Sequence, residues 1–263
     1  MLLRVLGSGT CELRQERSAP AYLVEAGAAA LMLDLGQGAW RRLLEAGRDP
    51  AGLSGVLISH PHPDHVSDLV PLLFALNYAP HMAAARLALL AHPGLARVLQ
   101  GLTAAFGPWL EPPERALERR WLAPGQETSL GGVRILAAAA AHHPHSLAFR
   151  LEHEGAVLVY LGDSEASPSL ARFASGAGLL ICHCAGSDQR PRPGHLHPAA
   201  CGRLAAAAGA RALLLSHFYR DVDPEQAAAS AAEHFSGAVW AASDHLELVL
   251  GPGSMDQAES CAT

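Results

Sequence analysis

The stretch that decides the fold is ISHPHPDHVSDL, residues 58–69, which follows the apolar run LSGVLISH, residues 53–60. His60 and His62 stand two positions apart, so an extended backbone directs both side chains to the same side. A proline follows each of these histidines and favours that extended backbone. Imidazole and carboxylate groups together suit zinc or a similar cation. The pattern predicts a metal site at the end of a buried strand, the alternative being an exposed polar loop.

Composition narrows the classes of protein that the chain can belong to. Of its 263 residues half are apolar, the net charge is −6, and all nineteen basic residues are arginine. We therefore expect no stable nucleic-acid binding and no membrane association. The first residues read as a strand and no apolar run is long enough to span a membrane, so a cytoplasmic protein is expected. An odd number of cysteines indicates free thiols in a reducing compartment: Cys11, Cys182, Cys184, Cys201 and Cys261.

Short apolar runs alternate with helical patterns along the chain, which predicts an α/β layered fold. One block echoes another: residues 21–36, a helix and GVLISH (55–60) resemble residues 147–163, a helix and GLLICHC (178–184). In this echo His60 matches His183, and a duplicated half-domain would explain it. The sequence predicts one domain over residues 1–250 and a flexible tail over 251–263.

Further candidate ligands stand where apolar runs end. Asp163 closes VLVYLGD, His217 closes ALLLSH, and AAHHPHS supplies His142, His143 and His145. The alternatives are a turn-capping aspartate for Asp163 and a hydrogen-bonded core histidine for His217. Together with HPHPDH these side chains exceed what one tetrahedral zinc needs. They fit two metal ions about 3.5–4 Å apart that share a carboxylate.

These motifs resemble the metallo-β-lactamase superfamily, and within it the ribonuclease Z-like phosphodiesterase branch. The resemblance covers nearly the whole chain and implies a four-layered αβ/βα sandwich of two similar halves. It rests on LGSGT (6–10), LDLGQGAWRRL (33–43), HPHPDH (60–65), YLGDS (160–164), GHLHP (194–198) and LLLSHF (213–218).

The resemblance also implies a set of ligands for two divalent ions, expected to be Zn²⁺ with Mn²⁺ or Fe²⁺ as alternatives. Asp163 would bridge the two ions. In the third motif, the spacing to Ser146 selects His142 over His143 as the ligand. The remaining ligands would be His60 and His62 with His142 on one ion, and Asp64, His65 and His217 on the other.

Four other residues receive roles at the same site. By the resemblance, Asp64 would also orient a metal-bridging hydroxide, and His195 in GHLHP would donate a proton to the leaving group. His183 stands where the family often has glutamate, and we expect it to bond His195 or a metal ligand. Its alternative is a strand histidine bonded to the backbone. Arg190 and Arg192 could grip an anionic substrate in bidentate fashion, or be solvated loop residues.

The sequence therefore predicts a dinuclear metal-dependent hydrolase that acts on a small phosphodiester. Transfer-RNA processing members of the branch carry a long basic arm between the third-motif histidine and the bridging aspartate. Here His142 and Asp163 are 21 positions apart, which leaves no room for that arm. Four alternatives remain open: hydrolysis of an ester, thioester, lactone or lactam, transfer-RNA 3′ processing, di-iron oxygen reduction, and an idle metal-binding scaffold. A homodimer is expected from the resemblance alone.

Overall fold

The computed structural model describes residues 1–12 and 14–257. Over this part of the chain, two mixed β-sheets pack face to face and helices cover both outer faces. Strand β2 (Ala21–Ala26) shows why: Tyr22 and Val24 pack between the sheets, while Leu23 packs against helices. Side chains alternate across a strand, and a strand that is apolar on both faces must be covered on both. The predicted four-layered α/β sandwich is confirmed.

The first sheet has the order β15-β14-β1-β2-β3-β4-β5-β6. Strands β3 to β6 run parallel to one another, and the pairs on the other side of β3 are antiparallel. Besides β2, its strands are β1 (Leu2–Gly7), β3 (Ala29–Leu33), β4 (Gly55–Ile58), β5 (Leu87–Ala91), β6 (Leu117–Trp121), β14 (Glu247–Leu250) and β15 (Met255–Gln257).

The second sheet has the order β13-β12-β11-β10-β9-β8-β7 and the same division into parallel and antiparallel pairs. Its strands are β7 (Glu127–Leu130), β8 (Val133–Ala139), β9 (Leu147–His153), β10 (Ala156–Tyr160), β11 (Leu179–His183), β12 (Ala212–Ser216) and β13 (Ala238–Ala241).

Helices on the first sheet's outer face include α1 and α3, and those on the second include α5, α6 and α7. Helix α6 begins with proline after His197 and ends at Gly209, whose left-handed backbone is a common helix stop. The helices are α1 (Ala39–Glu45), α2 (Pro63–Val66), α3 (Leu69–Tyr78), α4 (Ala96–Phe106), α5 (Pro168–Phe173), α6 (Pro198–Ala208) and α7 (Pro224–Ala232). Short 3₁₀ turns lie at Pro50–Gly52, Pro80–Met82, Pro93–Leu95 and Gly107–Leu110.

The predicted echo is present in the topology, but its residue match needs a correction. In the first sheet the antiparallel pair β2 and β3 is followed by the parallel strands β4 and β5. The second sheet repeats this arrangement with β9, β10, β11 and β12. Leu33 pairs with Leu57 as Tyr160 pairs with Ile181. Two residues further on, Ser59 and not His60 therefore occupies the position of His183. The sequence comparison matches residue types, whereas strand pairing matches backbone positions. The two alignments differ by one residue.

Part of the range 251–263, which the sequence predicts to be a flexible tail, forms a strand. Strand β15 lies within that range and pairs antiparallel with β14, for example Val249 with Asp256. Residues 258–263, and with them Cys261, lie outside the described residues. Of the helices that are described, none is both long and apolar enough to cross a membrane.

Candidate metal centre

The predicted ligands meet where the central strands of both sheets end. His60 follows β4, Asp163 follows β10, and His217 follows β12 directly. His142 lies in the loop between β8 and β9. Because the carboxyl ends of parallel strands share one edge of a sheet, these side chains gather over a single crevice.

A first group consists of His60, His62, His142 and Asp163, whose potential ligand atoms all lie within 4.8 Å of one another. Nδ1 of His62 is 3.0 Å from Nε2 of His60 and 3.1 Å from Nε2 of His142. Oδ2 of Asp163 is 3.6 Å from each of those two Nε2 atoms. Two ligand atoms that bind one tetrahedral zinc ion at about 2.0–2.1 Å lie roughly 3.3 Å from each other. The spacing fits one ion.

A second group consists of His65, Asp163, His183 and His217, again with potential ligand atoms within 4.8 Å. Nε2 of His65 lies 3.5 Å from Oδ2 of Asp163, and Nε2 of His217 lies 3.6 Å from its Oδ1. Asp64 lies beside this group, with its Oδ2 4.0 Å from Nε2 of His65. Asp163 therefore belongs to both groups.

Unpartnered nitrogen atoms show that these residues fit metal ions. Within residues 1–12 and 14–257, Nε2 of His65 and both ring nitrogens of His217 are buried without a hydrogen-bond partner. A buried polar atom without a partner costs about 1–3 kcal/mol, which a bound cation would remove. His142 bonds the carbonyl oxygen of Gly194 through Nδ1 at 2.8 Å. A neutral ring that donates there presents the lone pair of Nε2 to the group.

Burial favours the metal-binding form of two candidate ligands, His60 and His217. Burial lowers the pKa of His60 and His217 well below the usual value, and neighbouring histidines lower it further. Neutral imidazole is the form that binds metal. Burial opposes the charge of Asp163, but His217, His65 and His183 outweigh it and hold the pKa of Asp163 well below its usual range. Burial also opposes the charge of His65, yet Asp34 and Asp163 raise its pKa well above normal.

Asp34 is a site residue that the sequence analysis missed. Directly after β3, it accepts hydrogen bonds from the backbone nitrogen of Ser59 at 2.6 Å and from the Ser59 hydroxyl at 2.7 Å. Nδ1 of His65 lies 2.7 Å from its Oδ2, and the hydroxyl of Tyr160 donates to the same oxygen. Asp34 thus directs Nε2 of His65 toward Asp163. The signal was available, because in the echo Asp34 and Asp163 both end the second strand of a block.

His183 and His195 both lie near Oδ1 of Asp163. Nδ1 of His183 is 2.7 Å from Oδ1 of Asp163, so the residue contacts a candidate ligand as expected. Nδ1 of His195 is 3.7 Å from the same oxygen, and its ring centroid is 4.7 Å from that of His142. Burial lowers the pKa of His195.

The two arginines of the loop before His195 have different surroundings. Nε of Arg192 donates to the carbonyl oxygen of Ala185 at 2.9 Å, and Nη2 donates to Asp221 at 2.9 Å. Its guanidinium carbon also lies 4.1 Å from the ring centroid of Tyr219. The Nε–Nη2 edge that a bidentate grip on substrate would use is already bonded within the chain. Arg190 is exposed, and its backbone nitrogen bonds Ser187.

The other two histidines of the third-motif loop, His143 and His145, contact different neighbours. His143 contacts His62, with ring centroids 5.5 Å apart, and His145 stacks on His92 at 4.7 Å. A Cβ atom at Gly94 would come within 2.3 Å of the His145 ring, so the loop after β5 closes tightly on that histidine. Neither His143 nor His145 belongs to the two ligand groups.

Two residues at the centre have a left-handed backbone that side chains rarely adopt. Asp34 has φ of 57° and His217 has φ of 62°. Outside glycine this conformation costs about 1 kcal/mol or more, and such residues occur preferentially at functional sites. Both strands therefore end in a turn that directs a polar side chain back over the crevice.

Comparisons with known proteins agree with this geometry. Residues 22–218 match the family described as a beta-lactamase superfamily domain. The chain is 30% identical to proteins named ribonuclease Z from Mycobacterium bovis and Mycobacterium tuberculosis, covering 95% of this chain and 98% of each relative.

Solved structures share the fold as well. The metallo-beta-lactamase fold protein YhfI from Bacillus subtilis superposes with a TM-score of 0.83 and 26% identity, covering 95% of this chain and 98% of that one. Human tRNase Z, short form, gives a TM-score of 0.75 at 17% identity, covering 95% and 100% of the two chains. This protein belongs to the metallo-β-lactamase superfamily, in its ribonuclease Z-like branch, and is a metal-dependent hydrolase.

Proposed function

We propose that the protein hydrolyses a small or short phosphodiester at a centre that holds two divalent metal ions. One observation carries the proposal: two groups of candidate ligands share the oxygens of a single buried carboxylate, Asp163. Its Oδ2 faces His60 and His142 of the first group and His65 of the second, while its Oδ1 faces His217. A carboxylate shared in this way is typical of hydrolases with two ions about 3.5–4 Å apart.

The proposed ligands are divided between two ions. His60, His62 and His142 would hold the first, Asp64, His65 and His217 the second, and Asp163 would bridge them. Nitrogen and oxygen donors in a four-coordinate arrangement favour zinc, and the same donors accept manganese or iron. When bound, the ions would lower the pKa of water and offset the charge of a phosphate group.

Protein groups would then orient the reactants and move protons. Asp64 is partly exposed beside the second group, where its carboxylate can accept a hydrogen bond from a water molecule and orient it. His195 is mostly buried, with a side chain 12% exposed, and its Nδ1 faces Asp163. A ring that reaches the crevice can donate a proton to the oxygen of a leaving alcohol.

The preference for a small substrate rests on the chain between His142 and Asp163. Strands β9 and β10 fill that interval, joined by the two residues Glu154 and Gly155. No part of it extends from the sheet as an arm for a folded RNA. Arg192 is bonded within the chain, so exposed Arg190 of the same loop is the one of the two arginines that could meet an anionic substrate end.

Transfer-RNA 3′ processing is the second candidate function. It is favoured by the relatives named ribonuclease Z, which align with this chain almost end to end. Binding a folded RNA relies on many phosphate contacts and is strongly weakened by salt. A chain with net charge −6 and no lysine provides few of them.

The two candidates separate in one assay panel. Zinc-loaded protein would be given bis(p-nitrophenyl) phosphate, a precursor transfer RNA, a thioester and a lactone at physiological salt, with chelator-treated protein as control. We expect turnover of the phosphodiester, little trimming of the RNA, and loss of activity with chelator. Efficient, salt-sensitive cleavage of the RNA at its 3′ end would establish the second candidate. Preference for the thioester or lactone would refute both.

A homodimer is proposed on the resemblance together with a surface feature. Phe74 and Tyr78 of α3 stack with ring centroids 5.0 Å apart, and both are about half exposed at 49% and 56%. Trp109, whose carbonyl oxygen bonds Asn77, is 58% exposed beside them. Exposed aromatic groups of this kind are enriched at protein interfaces. Sedimentation velocity of wild-type protein and of Trp109→Ser tests the proposal, because the substitution should shift a dimer toward monomer.

A further inference from the structure

A row of hydrogen bonds lies behind Asp163 and crosses from one sheet to the other. The hydroxyl groups of Tyr22 on β2 and Ser216 on β12 are 2.7 Å apart, and the Tyr22 hydroxyl is 3.0 Å from Nε2 of His183 on β11. Nδ1 of His183 then lies 2.7 Å from Oδ1 of Asp163. Tyr22, His183 and Ser216 are fully buried. No solvent competes for these bonds, so their geometry is held by the two sheets.

Distances distinguish His183 from the candidate ligands. Nitrogen atoms of His60, His65 and His217 lie 3.5–3.6 Å from the Asp163 oxygens, the separation expected for atoms that share an ion. His183 is 2.7 Å away, which is a charge-assisted hydrogen bond. Both of its ring nitrogens have protein partners, whereas Nε2 of His65 and of His217 have none among the described residues.

The pattern of partners determines the direction of each bond in a neutral His183 ring. An ionised Asp163 can only accept, so Nδ1 of His183 carries the hydrogen. Nε2 is then an acceptor, and the Tyr22 hydroxyl must donate to it. The Tyr22 hydroxyl is oriented as a donor to Ser216. For Tyr22 to donate to Nε2 instead, both hydroxyls rotate and Ser216 donates to the Tyr22 oxygen.

We propose that Tyr22 is a positioning residue for the metal centre: through His183 it fixes the orientation of the Asp163 carboxylate. With Oδ1 anchored by His183, Oδ2 is left facing His60, His65 and His142. Tyr22 touches neither substrate nor metal in this arrangement and acts through two other side chains. The inference rests on the proposed two-ion centre.

The first test measures zinc binding and not turnover. Zinc affinity of Tyr22→Phe is determined by competition with a chromophoric chelator, alongside wild type and His183→Asn, whose amide can still donate to Asp163. Loss of such an indirect partner lowers metal affinity by about 10–100-fold. We expect Tyr22→Phe to bind two ions per chain with about 10-fold weaker affinity, and to add little further loss to His183→Asn.

Tyr160→Phe is the matched control, because it removes an equally buried hydroxyl that bonds Asp34. Its effect on zinc affinity should add to that of His183→Asn, whereas the effect of Tyr22→Phe should not. Unchanged affinity in Tyr22→Phe, or full additivity with His183→Asn, would refute the inference. Loss of one ion in His183→Asn would make His183 a ligand and refute it as well. If wild type itself binds fewer than two ions, the failure lies with the proposed function.

The second test determines which nitrogen of the His183 ring carries hydrogen. Nitrogen-15 spectra of the histidines in the zinc-loaded protein, with His183 assigned through the His183→Asn variant, report which ring nitrogen carries hydrogen. We expect hydrogen on Nδ1 of His183 in wild type. Hydrogen on Nε2, or a zinc-bound Nδ1, would show that Tyr22 does not hold the ring as proposed.

Discussion

Two aspartates end equivalent strands in the two halves of the molecule, and their surroundings differ. Asp34 after β3 and Asp163 after β10 are both buried. Asp34 receives four hydrogen bonds from protein groups, two of them from Ser59. Asp163 has one short hydrogen bond, from His183, and otherwise faces imidazole nitrogens at 3.5 Å or more.

The difference shows how an aspartate that follows equivalent strands, one residue after β3 in one half and three residues after β10 in the other, can serve two purposes. An ionised carboxylate has about four acceptor sites. Asp34 accepts four hydrogen bonds within the protein, three of them on Oδ2, so it acts as a rigid support. Asp163 keeps most of its sites, because the ligand imidazoles around it lie 3.5–3.6 Å away. The number of donors that the protein supplies decides which aspartate is available to metal.

His65 connects the two aspartates. Its Nδ1 bonds Asp34 at 2.7 Å and its Nε2 faces Asp163 at 3.5 Å. A histidine that is bonded to a carboxylate through one nitrogen presents the other in a fixed direction and with greater basicity. Asp34 in one half of the molecule thus orients the ligand His65 toward Asp163 in the other half.

The largest expected effect comes from removing the charge of Asp163. Asp163→Asn removes the charge that both ligand groups share, so we expect loss of both ions and a fall in phosphodiester turnover of about 10⁴-fold or more. Metal analysis after dialysis, with turnover of bis(p-nitrophenyl) phosphate, checks the result. Two ions retained at wild-type affinity would show that Asp163 is no more a ligand than Asp34.

Two adjacent histidines, His142 and His143, test which side chain of the third-motif loop is a metal ligand beside Asp163. His142→Ala should lose one ion and about 10³-fold in turnover, because the Nε2 atom 3.6 Å from Asp163 is removed. His143→Ala should keep both ions, since His143 belongs to neither ligand group. Metal content of the two variants side by side decides the question. The opposite pattern would reverse the ligand assignment.

His195 lies beside Asp163 and belongs to neither ligand group. Its role tests what the surroundings of Asp163 add beyond metal binding. His195→Ala should keep both ions and lower turnover by about 10²–10³-fold, as expected for one proton donor. The loss should be smaller for a substrate with an acidic leaving group such as p-nitrophenol than for one with an alkyl leaving group. Metal content and the rates on both substrates are measured together. A lost ion would make His195 a ligand.

The smallest effect on turnover is expected at the support. Asp34→Asn leaves an amide that cannot accept all four hydrogen bonds, so we expect about 1–3 kcal/mol lower stability of the metal-free protein. Zinc affinity should fall by about 10–100-fold through the released His65 ring. Urea unfolding and zinc titration measure the two changes. Unchanged zinc affinity in a folded variant would show that Asp34 supports the fold and not the ligand.

The sequence predicted the ligands far better than their supports, for a physical reason. His60, His62, Asp64 and His65 lie in one contiguous stretch, so their local spacing already indicates a cation site. The bonds of Asp34 join residues from β3, β10 and the loop after β4, and no local pattern reports such distant contacts.

The same reasoning explains two other differences. Arg192 was expected to meet substrate, but its partners Tyr219 and Asp221 stand 27 and 29 positions further along the chain. The echo correctly indicated two similar halves, while strand register, which depends on backbone pairing, moved the match of His183 from His60 to Ser59.

The left-handed backbone at Asp34 and His217 has a consequence for how this sequence can evolve. At His217, whose ring nitrogens have no hydrogen-bond partner among the described residues, glycine would relieve the backbone by about 1 kcal/mol. Selection for stability alone would therefore favour glycine there, whereas the four hydrogen bonds of Asp34 oppose its loss. In a lineage that abandons hydrolysis, we expect the centre to erode first at the codon of His217, while Asp34 persists as part of the fold.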